Sequence, residues 1–189
     1  MGHGAGWLTL NAGMAGGADI ILIPEIPYDI NSIIGALKKR EKAGKAFSII
    51  AVAEGAISKE DAQLTKKELK KKREKAAKDG RVFPSVSYEI GAQIEAACGL
   101  EVRVTVPGHM QRGGSPCAYD RVLSSRLGAE AAKMISKKEY GYMVAVKSRE
   151  ISKTPLEEVA GKLKTVDPNA SIIEEARLLG ISFGDESIE

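Results

Sequence analysis

The sequence predicts an α/β protein, a mostly parallel sheet flanked by helices, and three observations carry that prediction. Short apolar runs alternate with helical periodicity, glycines or prolines bound the helical stretches, and no internal repeat or low-complexity tract interrupts the order. With 43% hydrophobic residues in 189, the chain has material for one domain with a real core and room for an appended lobe.

Taken in order, residues 7–15 read as a helix that Gly16 and Gly17 stop. Residues 20–23 form an apolar run between Asp19 and Pro24, suited to a central strand. Asp29 or Asn31 can cap a helix through Ile30, Ile33, Ile34 and Leu37 that ends near Gly44. The next buried strand spans 47–52 and delivers Glu54 at its carboxyl end. Residues 58–87 hold a basic helix and a turn at 81–84. Ser85 or Ser87 can then cap a helix with Ile90, Ile94 and Ala97 on one side, closed by Gly99. Val102, Val104 and Val106 alternate as in a buried strand over 101–106, which Pro107 and Gly108 end. A helix from about 118 to 135, an apolar strand at 142–146 and helices at 156–163 and 172–179 complete the series.

Charge and cysteine usage narrow the class. No apolar run approaches the roughly 20 residues that span a bilayer, and no charged-then-apolar leader opens the chain, so the expected location is cytoplasmic, neither membrane nor secreted. The formal charge of +3 is modest, with much of the positive charge gathered in residues 66–78. Glu68 and Glu74 interrupt that run, its apolar stripe is thin, and no aromatic residues are interleaved for base stacking, so it reads as a solvated helix and no nucleic-acid partner is expected. Cys98 and Cys117 lack metal-ligand spacing; both are expected as reduced, packed thiols.

The stretch R-V-T-V-P-G-H-M-Q-R-G-G-S-P from Arg103 to Pro116 carries the chemistry. A strand ending at Pro107-Gly108 places His109, Gln111 and Arg112 on a loop at the strand's carboxyl end, where open α/β sheets bind ligands. Arg112 offers a planar fork of donors, His109 a donor whose charge follows pH, and Arg103 a second guanidinium. Gly113-Gly114-Ser115-Pro116 leads into the helix near Ala118, whose amino-terminal N–H groups favour an anion. Capture of a phosphorylated small molecule suits this set; an ordinary strand-to-helix turn with a solvated Arg112 is the alternative. Glu54 at a strand end can accept hydrogen bonds from hydroxyls or stand as an exposed acid.

The loop G-H-M-Q-R-G-G-S-P with the following A-Y-D-R-V-L-S-S-R-L-G-A resembles the 6-phosphofructokinase family, ATP- or pyrophosphate-dependent, whose loop reads G-H-x-Q-R-G-G-x-P. The opening M-G-H-G-A-G-W-L-T-L resembles the family's M-G-R-x-x-G-x-L-x-L segment, and A-V-A-E-G-A around Glu54 resembles its substrate-binding strand. The resemblance implies phosphorylation of fructose 6-phosphate at the 1-hydroxyl, to fructose 1,6-bisphosphate in glycolysis. It makes Glu54 a sugar-hydroxyl ligand, His109 and Arg112 ligands of the sugar and its phosphate, and Met110 and Gln111 contributors through backbone and packing. Arg103 matches an arginine that reaches a neighbouring subunit's phosphate, which implies a homo-oligomer with a shared site. Met1, Gly2 and His3 match the methionine, glycine and arginine of the M-G-R segment; an imidazole at His3 loses the bidentate fork and permanent charge. Gly2, Gly4 and Gly6 do not fit a dinucleotide fingerprint.

The resemblance covers only the carboxyl-terminal part of the family. The G-G-D-G-type loop for the donor phosphates and the T-I-D-N-D-type segment that holds the base do not occur in these residues. No catalytic residue is therefore expected here, the magnesium that accompanies ATP or pyrophosphate is expected mainly on the other half, and the chain is expected to be inactive alone. The resemblance divides the chain into a fructose 6-phosphate-binding domain at 1–114, with an insertion at about 58–87, and a part at 115–189 that packs partly on the nucleotide-binding domain. The apolar face between Val122 and Ile135, and that of 142–146, is then expected to lie exposed. Residues 165–185 resemble the branch with mixed donors, and Asp19 lies where some bacterial members place an acidic effector-site residue. A non-catalytic sugar-phosphate-binding regulatory subunit is the rival reading.

Overall fold

The computed structural model describes residues 4–78 and 83–186, which form two compact units: Met1–Val106 with Lys164–Glu189, and Pro107–Leu163. The first unit is built around strand β1 (Ile20–Leu22), which pairs in parallel with β2 (Ile50–Val52), Ile20 opposite Ile50 and Leu22 opposite Val52. On the other edge of β1 a parallel bridge joins Ile20 to Ser182. Consecutive strand side chains point to opposite faces, and the packing follows. Ile21 and Ile23 enter a core with Leu10, Val166, Ile173 and Phe183, while Ile20 and Leu22 enter a second with Tyr28, Ile33, Leu37, Ile90 and Ile94. The cores are supplied by helix α1 (Trp7–Ala15) on one face, and by α2 (Ile30–Lys42) and a helix over Val86–Cys98 on the other. A fully buried isoleucine contributes about 1.5–3 kcal/mol, so this strand anchors the unit.

Local chemistry sets the element ends. Asp29 caps α2 by accepting a hydrogen bond from the Asn31 amide. Asp19 binds the Ile49 amide at 2.8 Å and the Arg40 guanidinium at 2.9 Å, which ties the entry of β1 to that of β2. One carboxylate oxygen of Glu25 accepts from the amides of Gly6 and Val166, each at 2.9 Å, and the Trp7 indole donates to the Lys164 carbonyl at 3.0 Å, so residues 164–166 are fastened to the start of α1.

Between the strands and the Val86–Cys98 helix stand a one-turn helix α3 (Lys59–Ala62) and the basic helix α4 (Lys66–Lys78). Thr65 and Glu68 cap α4 reciprocally: the Thr65 amide and hydroxyl donate to Glu68, and the Glu68 amide donates to the Thr65 hydroxyl. The Thr65 hydroxyl and then its amide, donating to the carboxylate, lower the Glu68 pKa. Lys72 pairs with Asp61 and its pKa is raised by that hydrogen bond, whereas Lys67, Lys71, Lys75 and Lys78 are exposed. The expected turn at 81–84 falls largely outside the described residues. Helix α5 (Val86–Cys98) starts after Ser85, whose hydroxyl makes no capping bond and is buried without a partner among the described residues.

The second unit contains a 3-10 turn at Gly108–Arg112, helix α6 (Ala118–Ser136), strands β3 (Tyr142–Lys147) and β4 (Glu150–Pro155), and a one-turn helix α7 (Leu156–Val159). Strands β3 and β4 form an antiparallel hairpin of six residue pairs turning at Ser148 and Arg149. Helix α8 (Ser171–Leu178) belongs to the first unit.

Several sequence expectations need correction. Residues 101–106 are extended, with Val102 and Val104 turned inward, yet no described strand pairs with them: the Val102 amide donates to the Glu95 side chain of α5. The strand expected at 47–52 is shorter, with Phe47 exposed. Ala97 faces solvent. The helix expected at 156–163 ends at Val159 because Ala160 takes an extended ψ of 128°. β4 was not expected at all, since E-I-S-K-T-P carries no apolar alternation on which to read a strand.

Candidate sugar-phosphate site

His109, Met110, Gln111 and Arg112 share the turn at Gly108–Arg112 rather than an open loop. Pro107 starts it, the Met110 amide donates to the Pro107 carbonyl at 3.1 Å, and the Gly113 amide closes it on the Met110 carbonyl at 3.1 Å. Gly108 and Gly114 bracket the turn with φ of +55° and +86°, conformations that cost other residues a steric penalty, so the two glycines let the chain enter and leave so tightly. All four side chains are exposed, Met110 by 83%. Among the described residues the Arg112 guanidinium has no ion pair or hydrogen bond, which leaves its full fork of donors facing water.

Downstream, Ala118 opens α6 as expected, with Cys117 in the cap position. The Cys117 thiol is exposed and lies 3.3 Å from an Asp120 carboxylate oxygen, which corrects the expectation of a buried cysteine: the cap position turns its side chain outward toward the first helical turn. Cys98 is half-buried at the end of α5.

In the first unit, Glu54 follows β2 at the tip of a turn closed by the Ala56 amide on the Ala53 carbonyl at 3.0 Å. Ala53 itself is locked to the sheet, its amide donating to the Leu22 carbonyl at 2.9 Å, and both alanines are buried, so the exposed Glu54 carboxylate stands on a rigid base. Arg103 lies on the extended 101–106 segment and is 86% exposed. Its Nε and Nη2 both approach one oxygen of Glu101, each at 2.9 Å, a partnership the sequence reading missed although the i, i+2 spacing on an extended segment puts both residues on one face. Asp19 is occupied by Arg40 and the Ile49 amide. Met1, Gly2 and His3 lie outside the described residues.

The first unit thus presents Glu54 and Arg103, and the second presents His109 to Arg112. A cleft of about 580 Å³ in the first unit, lined by Glu25, Lys59, Asn169, Arg177 and Asp185 among others, involves none of the predicted site residues. Among the described residues no group of three or more His, Cys, Asp or Glu side chains converges to hold a metal ion, and no helix is long and apolar enough to cross a membrane.

Comparisons with known proteins bear on this arrangement. The phosphofructokinase family model matches residues 1–135. The ATP-dependent 6-phosphofructokinase of Spirochaeta thermophila is 51% identical over 98% of this chain and 49% of its own length. That of Propionibacterium freudenreichii is 43% identical over 98% of this chain and 53% of its own length. The ATP-dependent 6-phosphofructokinase 3 of Bacteroides thetaiotaomicron is 44% identical over 97% and 48%. The chain therefore spans about half the length of the curated relatives it matches. Among solved structures, phosphofructokinase from Saccharomyces cerevisiae superposes with a TM-score of 0.59 at 27% identity, over 98% of this chain and 21% of that one. The pyrophosphate-dependent phosphofructokinase of Marinobacter aquaeolei matches in fold, with a TM-score of 0.67 at 18% identity over 96% and 46%. The α/β arrangement around β1 and a family model that covers well over half of the residues lead to one assignment: the chain belongs to the phosphofructokinase family.

Proposed function

We propose that this chain carries the sugar-phosphate-binding part of a 6-phosphofructokinase, the enzyme that transfers a terminal phosphoryl group to the 1-hydroxyl of fructose 6-phosphate in glycolysis, in the cytoplasm. The observation that carries the reading is the exposed Gly108–Arg112 turn, whose arginine has no counter-charge among the described residues, in a chain of this family. An unpaired guanidinium beside an imidazole is a dianion receptor: each charge-assisted hydrogen bond to a phosphoryl oxygen is worth about 1.5–3 kcal/mol.

In this reading Arg112 and His109 hold the 6-phosphate, Met110 and Gln111 shape the turn, and Glu54 orients the ring by accepting from its hydroxyls. Arg103 adds a second cation to a phosphate bound by a neighbouring copy, which makes the active form a homo-oligomer. Met1, Gly2 and His3 contribute beside the phosphate, with His3 donating one hydrogen bond where the M-G-R segment that this stretch resembles has a guanidinium. Residues 1–114 form the sugar-phosphate domain, with 164–189 completing its core, and of the expected 115–189 part it is 115–163 that packs partly on a nucleotide-binding part. The relatives named ATP-dependent support ATP as donor, with magnesium to neutralise its phosphates; the described residues offer no metal-binding group of their own. What these side chains supply is positioning and fixed positive charge at the acceptor, the larger share of catalysis in phosphoryl transfer.

Titration calorimetry with fructose 6-phosphate tests the proposal. The chain is expected to bind it and Arg112→Ala to weaken binding at least ~10-fold; because Arg112 is exposed, the variant should fold as the parent does. Heat no greater than that of fructose alone would refute the reading. The same preparation, free of host enzyme, is expected to show no turnover with ATP.

A further inference from the structure

We infer that Glu101 is a specificity-determining residue: it parks the Arg103 guanidinium and yields it more readily to a dianionic phosphoryl group than to a carboxylate. The inference rests on the proposed sugar-phosphate reading for its biological ligand, but its chemistry is set out in the structure. Glu101, Arg103 and Thr105 line the exposed side of the extended 101–106 segment while Val102 and Val104 turn inward, so the acid and the base are same-face neighbours. Val102 is held by the Glu95 side chain, which keeps that facing from twisting away. The Glu101 carboxylate takes the Nε and Nη2 edge of Arg103 with a single oxygen, at 2.9 Å from each nitrogen. That edge is one on which a guanidinium grips two phosphoryl oxygens in parallel.

One shared oxygen is a poorer partner than two, and both side chains are exposed, 86% for Arg103 and 74% for Glu101, so the pair is weak and exchangeable. A carboxylate monoanion offers no gain in charge over Glu101 and competes with it poorly, whereas a phosphate monoester carries close to two charges near neutral pH and competes well. Arg112, with no such partner among the described residues, is open to any anion. The two arginines therefore differ in kind, one always available and one conditional.

Calorimetry at low ionic strength with fructose 6-phosphate, inorganic phosphate and acetate, on the parent chain, Glu101→Gln, Arg103→Ala and the double variant, tests this. Glu101→Gln is expected to tighten phosphate and fructose 6-phosphate by about threefold to fivefold, and to add acetate competition beyond that which Arg112 gives in the parent chain. In the Arg103→Ala background Glu101→Gln is expected to have no effect. Unchanged or weaker phosphate binding in Glu101→Gln, or an effect that survives Arg103→Ala, would overturn the inference. Inorganic phosphate separates the two readings: if it shows the Glu101 dependence while the sugar phosphate does not bind, parking stands and the substrate assignment falls.

Discussion

The two compact units use their apolar residues in opposite ways. In the first, Ile20, Ile21, Leu22 and Ile23 are wholly enclosed between helices on both faces of the sheet. In the second, Met134 is the one large apolar side chain buried among the described residues, while Val122 and Ile135 on α6 stand 60% and 64% exposed and Tyr140, Tyr142 and Met143 also face solvent. The second unit is held by hydrogen bonds, those of a 19-residue helix and a six-pair ladder, with ion pairs from Lys153 to Glu139 and from Arg126 to Glu150. Because exposed ion pairs contribute little, its persistence depends on backbone bonding, which resists local opening less than a packed core does. The contrast teaches that an α/β composition does not distribute stability evenly along a chain.

Truncation of a core aromatic should break the contrast most severely. Phe183 is fully buried against α8, so Phe183→Ala should cost about 3–5 kcal/mol, read as a drop in the denaturation midpoint. A smaller loss would mean that the first unit is less tightly packed than its burial implies.

Next comes Tyr28. Its phenol pKa is pushed up to about 12, mainly by burial and then by the charges of Glu89 and Asp61. The unfolded chain ionises this group near its ordinary value of 10, the folded chain only near 12, so its contribution to stability is intact below pH 10 and is lost as pH rises toward 12. Tyr28→Phe should remove that alkaline loss, on the order of 2 kcal/mol at its far end, visible as a flatter profile of unfolding free energy against pH. An unchanged profile would locate the alkaline sensitivity elsewhere. At the small end, Ile135→Ser in the second unit should change stability by no more than about 0.5 kcal/mol; a larger cost, measured in the same denaturation assay, would show that the exposed face is covered in solution.

Much of this was legible in the sequence, for identifiable reasons. Residues 20–23 announced themselves because a central strand is apolar on both faces and bounded by Asp19 and Pro24. The cap of α2 was legible as Asp29 or Asn31 because capping is local chemistry, and the structure selects Asp29. Residues 101–106 misled for the converse reason: alternation of valines tells which side chains turn inward, but whether a neighbouring backbone is free to pair is a tertiary fact, and here Glu95 takes the amide. β4 was silent because it is recruited by pairing with β3 and not by its own pattern. The Thr65–Glu68 cap was present in the letters and masked by the surrounding lysines. The sequence offered Glu54, Arg103, His109 and Arg112 as candidates by residue type alone; that Arg103 has a partner and Arg112 has none among the described residues is a property of the fold.

The division of β1 between two cores bears on which lengths of chain can vary. Adding one residue at the entry of that strand would exchange Ile20 and Leu22 with Ile21 and Ile23 across the sheet, and each core would receive side chains shaped for the other. Asp19, pinned on both sides, forbids the slack that could absorb such a change. Insertions and deletions are thus excluded between α1 and Pro24, while the last turn of α4, where the described Lys75 and Lys78 are exposed and enter neither core, is free to lengthen or shorten.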